Sequence, residues 1–250
     1  MSDHTEDLRK AQARKWFYEF ELPNGAKTTS DIPEEVRHIH RSRIEKLRQV
    51  ISMYVEGSEL SSALDLASHE GFFSIELSKH FASVQGLEIR PESLEAARLI
   101  TRTLGISNVT YEKADLTKTE IDDRWTSDFV LVYGLLYHLE NPVQVIRLAS
   151  QLARKHILIE TQIFPYDISG RLEDGNYRWQ REVQGVFSLS VDYAARREGG
   201  STDIALVPSL NALVFLLKNF GFNRIEVLPS ADDDYEQFQR GARVVVYGQK

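Results

Sequence analysis

From Ala63 onward the chain alternates short, nearly continuous apolar runs with longer amphipathic ones, and this rhythm restricts the fold more than any other feature. Ala63-Leu64-Asp65-Leu66-Ala67 precedes a helix candidate over 71–81, and Ser83-Val84-Gln85-Gly86-Leu87-Glu88-Ile89 precedes an amphipathic stretch over 91–104. The pattern continues through Val109-Thr110-Tyr111-Glu112-Lys113-Ala114-Asp115, a short polar segment, Asp128-Phe129-Val130-Leu131-Val132-Tyr133-Gly134, a helix over 142–153, and His156-Ile157-Leu158-Ile159-Glu160-Thr161. Strands that read as continuous apolar runs are buried on both faces, and helices between them supply the crossovers of a parallel sheet.

The expected fold is therefore α/β: three layers, doubly wound, around a mostly parallel seven-stranded sheet. A helix near 208–220 and strands at Arg224-Ile225-Glu226-Val227-Leu228 and Ala242-Arg243-Val244-Val245-Val246-Tyr247-Gly248 complete it, the last strand antiparallel. Pro91 and Pro142 suit first helical turns, Asn141 suits an N-cap, and Gly221 suits a helix end. Residues 1–60 form an N-terminal cap with a helix over 36–55 and the aromatic cluster Trp16, Phe17, Tyr18 and Phe20. Residues 61–250 form the main domain. After Thr161 the rhythm breaks into a Gly-, Arg- and aromatic-rich stretch over about 162–207, read as an irregular insertion on the substrate side.

Composition removes several function classes. The 250 residues, 42% hydrophobic, suffice for one elaborated core. No Cys is present, which excludes disulfides and thiolate chemistry. The histidines form no spaced ligand set and Asp232-Asp233-Asp234 reads as solvated charge, so no metal site is expected. No apolar run of about 18 residues or signal core occurs, so the expectation is a soluble, cytoplasmic protein without a membrane partner. The net charge, 30 − 37 = −7, advertises no polyanion partner. Locally, Arg37, His38, His40, Arg41, Arg43, Lys46 and Arg48 make one basic stretch, either a solvated face or an anion-binding lid.

Three strand ends carry acids in order. Leu64-Asp65-Leu66-Ala67-Ser68-His69-Glu70-Gly71-Phe72 links the first strand to its helix; Glu88, followed by Ile89, lies 88 − 65 = 23 positions after Asp65; and Asp115, followed by Leu116, ends the third strand. Such spacing lets a strand-end carboxylate meet a ribose diol, and a glycine turn lets backbone approach a cofactor. This series resembles class I S-adenosylmethionine-dependent methyltransferases. The resemblance implies S-adenosylmethionine as cofactor, held by Asp65, Ala67, Ser68, His69, Gly71, Phe72, Glu88 (ribose), Ile89, Asp115 (adenine amino group), Leu116 and Tyr133. Ala67 and His69 stand where the family has glycine. His69 contacts the cofactor carboxylate or a substrate, or is simply a loop histidine.

Gly134-Leu135-Leu136-Tyr137-His138 resembles the fourth motif and its turn. There His138 is either a general base or a histidine that locks the turn, Tyr137 either bonds substrate or is a core aromatic, and Tyr133 either lines the cofactor pocket or is a core aromatic. The remaining substrate candidates are Trp16, Tyr18, Arg171, Tyr177, Arg178 and Trp179, cations mixed with aromatics that suit an anionic or aromatic acceptor. Trp16 to Gly25, the 134–138 turn, and Val207-Pro208-Ser209-Leu210 with the 217–222 segment are similar to the branch containing tRNA wobble-uridine alkyltransferases. Those enzymes carry basic residues after Tyr-His, where this chain has Leu139-Glu140, and their lysine-bearing N-terminal segment has no match here. Ordinary S-adenosylmethionine and a small-molecule acceptor with an oxygen or nitrogen nucleophile are the expectation. Alternatives are a tRNA-modifying enzyme of the same fold and a non-catalytic binding protein with a degenerate methyltransferase fold. A dinucleotide dehydrogenase lacks its glycine fingerprint. The sequence sets no oligomeric state.

Overall fold

A computed structural model describes residues 2–55, 57, 61–118, 122–173, 180–193 and 202–250. Strands β1 (Ser62–Leu66), β2 (Ser83–Glu88), β3 (Val109–Lys113), β4 (Ser127–Tyr133), β5 (Ala153–Gln162), β6 (Arg224–Val227) and β7 (Arg243–Gln249) form a sheet of order 6-7-5-4-1-2-3. It is mostly parallel with an antiparallel final strand and helices on both faces, as the alternation of runs predicts. The helices are α1 (Ser2–Ala13), α2 (Glu34–Tyr54), α3 (Phe72–Leu77), α4 (Pro91–Thr103), α5 (Pro142–Leu152), α6 (Leu210–Asn219) and α7 (Glu236–Gln239). Among the described residues no helix is long and apolar enough to cross a membrane.

The chain divides into two compact units. The first is Met1–Leu131 with Leu152–Arg154. Its strands pair parallel, Leu66 opposite Leu87 and Glu88 opposite Lys113, so all three acid-bearing ends lie at one edge. Asp128, at the start of β4, accepts from the backbone N–H groups of Ser61 and Ser62 at 2.9 and 3.2 Å, which fixes where β1 begins. Pro91 opens α4, as its fixed φ favours. The cap is more helical than the sequence suggests, because α1 was hidden in a polar stretch. Its Asp7 bonds Arg102 of α4 at 2.9 Å.

The second unit is Val132–Gln151 with Lys155–Lys250. Here β7 runs antiparallel to both β5 and β6, with Arg243 opposite Gln162 and Arg224 opposite Gln249. Asn141 accepts from the Gln144 N–H at 3.3 Å, and Gly221 sits at φ +96°, as their sequence positions predict. Among its described residues the insertion is not irregular: they form two antiparallel ribbons, Ser169–Glu173 with Gln180–Gln184 and Phe187–Val191 with Ile204–Pro208. Ser209 caps α6 toward Ala212 and also accepts from the Val186 N–H at 3.1 Å, stitching the second ribbon to that helix. A two-stranded ribbon in which only some positions are apolar presents neither a long apolar run nor strict alternation, so its strands leave no periodic signal in the sequence.

Candidate active site

In the first unit, the segment after β1 keeps a glycine backbone without the glycines. Ala67 and His69 have φ +59° and +51°, and Gly71 has φ +81°. For an L-residue this region costs about 1–2 kcal/mol, so the turn is held by contacts outside itself. Glu88 supplies one: its buried carboxylate accepts from the His69 N–H at 2.9 Å and from the Ile89 and Arg90 N–H groups at 2.9 Å. The Ser68 N–H donates to the Leu87 carbonyl at 2.9 Å, tying the turn to β2 a second time. Glu70 supplies a third. Its buried carboxylate accepts from Phe17 N at 2.8 Å and Tyr18 N at 3.4 Å, with Arg14 at 3.7 Å, which seats the cap's aromatic segment on the turn.

Gly71 is required on two counts. Its φ is left-handed, and a Cβ there would lie 2.9 Å from Tyr111 Cζ and closer still to the Tyr111 hydroxyl. Gly71→Ala is expected to destabilise the protein by about 2–4 kcal/mol, read as a lower thermal midpoint. Adding Tyr111→Phe removes the nearest atom and should recover part of the loss, a non-additivity that a double-mutant cycle measures.

Asp65 ends β1 fully buried and accepts from the Ser74 hydroxyl at 2.6 Å. Burial pushes its carboxyl up to about 7, against the Ser74 hydrogen bond, with the nearby Glu88 charge adding to the rise. Asp115 follows β3, next to the point where the Ala114 N–H bonds the Glu88 carbonyl at 3.1 Å. Its burial disfavours ionisation, but hydrogen bonds from the Thr117 hydroxyl and N–H, together with Lys118, hold its carboxyl below the usual range. Ile89 is exposed beside buried Glu88, and Leu116 is buried.

The cap residues take different places from one another. Trp16 is fully buried, and its indole N–H is spent on the Ala11 carbonyl at 2.8 Å, so it anchors the cap rather than facing a ligand. Tyr18 stacks on Phe72 with centroids 4.5 Å apart, while His69 meets Phe17 edge-on at 5.1 Å. A cleft of about 490 Å³ lies between α2, the 19–27 segment and Phe72. The cations of α2 are committed: Arg37 to Glu19 at 3.1 Å, Arg41 to Glu45 at 2.8 Å, and Arg48 to Glu76 at 2.5 Å. His40, Arg43 and Lys46 are buried. The basic stretch is thus neither a uniformly solvated face nor a row of free cations.

In the second unit, Tyr133 is buried at the end of β4, and a single 3-10 turn follows over Leu136–His138. His138 Nδ1 lies 2.8 Å from the Asp192 carboxylate, which comes from the residue after the Phe187–Val191 strand. Asp192, the partner the structure gives His138, is a residue that sequence reasoning missed, because 54 positions separate the two and no motif marks it. Tyr137 lies against buried Arg243, whose guanidinium carbon is 4.8 Å from the ring centroid. Arg171 is exposed and paired with Glu173 at 3.0 Å. Tyr177, Arg178 and Trp179 lie outside the described residues.

The family model described as "Methyltransferase domain" matches residues 58–186, just over half of the chain. The chain belongs to the methyltransferase-domain family. Among curated proteins, this methyltransferase domain is 27% identical over 130 residues to the ubiquinone biosynthesis O-methyltransferase of Colwellia psychrerythraea, covering 50% of this chain and 52% of that one. It is 26% identical over 133 residues to the ubiquinone biosynthesis O-methyltransferase of Vibrio parahaemolyticus, covering 52% and 56%. The chain thus spans about half the length of the curated relatives it matches. Among solved structures, the N-terminal domain of EvdMO1 with SAH bound superposes with a TM-score of 0.75 at 21% identity, over 100% of this chain and 98% of that one. Magnesium protoporphyrin IX methyltransferase (ChlM) from Synechocystis PCC 6803 superposes with a TM-score of 0.56 at 15% identity, over 88% and 89%. At those identities the superpositions establish the fold.

Proposed function

We infer that this methyltransferase domain transfers the methyl group of S-adenosylmethionine to a hydroxyl oxygen of a small-molecule acceptor. The observation that carries the oxygen acceptor is the His138–Asp192 pair. A hydroxyl must lose its proton as the new bond forms, and a histidine whose Nδ1–H is held by a carboxylate is built to take one at Nε2. Asp192 fixes that tautomer and balances the imidazolium charge.

The first unit's residues fit the cofactor by their chemistry. An uncharged or weakly ionised buried carboxyl at Asp65 gains from a cationic group. Exposed Ile89 offers an apolar surface at a strand end, and Ser68 Oγ is buried with no hydrogen-bond partner among the described residues. Glu88 retains acceptor capacity beyond its backbone bonds, since a carboxylate offers about four lone-pair sites. We assign the cofactor to Asp65, the 67–71 turn, Glu88, Ile89 and Asp115. When bound, S-adenosylmethionine supplies an electrophilic methyl group on a sulfonium. The ubiquinone biosynthesis relatives are O-methyltransferases by name, and the EvdMO1 domain was crystallised with SAH. The ion-paired cations of α2 and the net charge of −7 favour a small acceptor over a polyanion.

Calorimetric titration with S-adenosylmethionine and S-adenosylhomocysteine tests the cofactor assignment. Wild type is expected to bind both with Kd on the order of micromolar, and Glu88→Ala to lose about 10- to 100-fold or more, because the change frees three N–H groups and loosens the turn. A folded wild type that binds neither ligand would falsify the assignment.

A further inference from the structure

Behind the His138 turn lies a buried ion pair that the reaction proposed above does not use directly. Arg243, at the start of β7, bonds Glu160 of β5 at 2.5 Å, with side chains 3% and 0% exposed. Removing two charges from water costs several kcal/mol per ion before their attraction repays it, so apolar residues of similar volume would serve stability as well. The pair therefore invites a role other than stability, and its remaining contacts point to one. The guanidinium lies over the Tyr137 ring, Arg243 Nη1 is 3.4 Å from the Tyr137 hydroxyl, and Arg243 Nε donates to Gln237 at 2.9 Å. The Tyr137 ring packs on the His138 ring with centroids 4.3 Å apart. At the other end of the turn the Gly134 N–H donates to the Glu160 carbonyl at 3.1 Å.

We propose that Arg243 and Glu160 are positioning residues for His138, acting through Tyr137: the guanidinium fixes the tyrosine ring, and that ring fixes one face of the imidazole while Asp192 fixes its edge. This rests on the proposed role of His138 as base. Charged groups face the turn from each element packed on it: Asp192 from the second ribbon, Glu160 from β5 and Arg243 from β7. Glu160 then has a second effect, since it cancels a guanidinium charge that would otherwise oppose protonation of the imidazole.

The test is an NMR titration of the imidazole resonances in the full chain without cofactor or acceptor, His138 being assigned among the seven histidines by its loss in His138→Gln. In Glu160→Gln the arginine stays charged, so the His138 titration midpoint is expected to fall by about half a pH unit. In Glu160→Gln with Arg243→Met both charges are gone, and the midpoint should return. An unmoved midpoint in folded Glu160→Gln overturns the proposal. If that variant does not fold, Tyr137→Leu at a half-buried site serves: loss of the single Nδ1–H tautomer signature is expected, and an unchanged signature overturns the proposal. Because the readout needs no ligand, a chain that shows this coupling yet binds no S-adenosylmethionine would lose the function proposed above and keep this network.

Discussion

Replacing His138 by Gln is expected to lower kcat for hydroxyl methylation by about 10²- to 10⁴-fold, the range for loss of a positioned general base, while leaving the Kd for S-adenosylmethionine within about twofold. The amide keeps a side chain able to bond Asp192, so the variant separates the two roles the sequence leaves open. A base is lost and a turn lock is retained. Release of S-adenosylhomocysteine with a hydroxyl-bearing small-molecule acceptor is the assay, and a variant that keeps wild-type kcat would assign His138 to holding the turn. Asp192→Asn should act more mildly and in a signed way. Without the carboxylate the imidazolium is less stable, so the acidic limb of the kcat–pH profile moves to lower pH while the plateau falls.

The second large effect concerns stability. Asp65 titrates at about 7 in the folded chain and near 3.9 when unfolded, so between about pH 4 and pH 7 the native state binds a proton that the unfolded state has released. Stability contributed through this group therefore falls as pH rises across that window. Below about pH 4 both states are protonated and the contribution vanishes; above about pH 7 the penalty is constant, at most about 4 kcal/mol. Asp65→Asn keeps an oxygen for the Ser74 hydroxyl and removes the penalty. The variant is expected to melt higher than wild type at pH 8 and equal to it at pH 4, with weaker binding of S-adenosylmethionine. Denaturant unfolding at those two pH values checks the sign: a variant less stable than wild type at pH 8 would mean that the carboxylate is stabilising where it stands.

Asp65 and His138 are both visible in the sequence, whereas Asp192, on which the role of His138 depends, is not. Asp65, Glu88 and Asp115 were legible because strand ends in a parallel sheet recur at regular intervals and close backbone approach demands particular residues. Even the departures at Ala67 and His69 turned out informative. Both keep the left-handed φ that glycine would favour, which says that the path of the turn is imposed by the strands and by Glu88 and Glu70 rather than by local preference. His138 and Tyr137 were legible as residues but not as roles, since each depends on a partner distant in sequence.

What the amino-acid sequence determined by itself is the α/β class, the seven strands and the acids at their ends, because apolar periodicity and turn chemistry act over a few residues and are written locally. What only the tertiary structure decided is which side chains become partners. Asp192 reaches His138 from a ribbon that reads as loop, Arg243 reaches Tyr137 from the last strand, and Trp16 turns out to be a core anchor. These pairings arise from long-range strand register and burial, in which a carboxylate and an imidazole 54 residues apart are brought to 2.8 Å, and no local pattern encodes them.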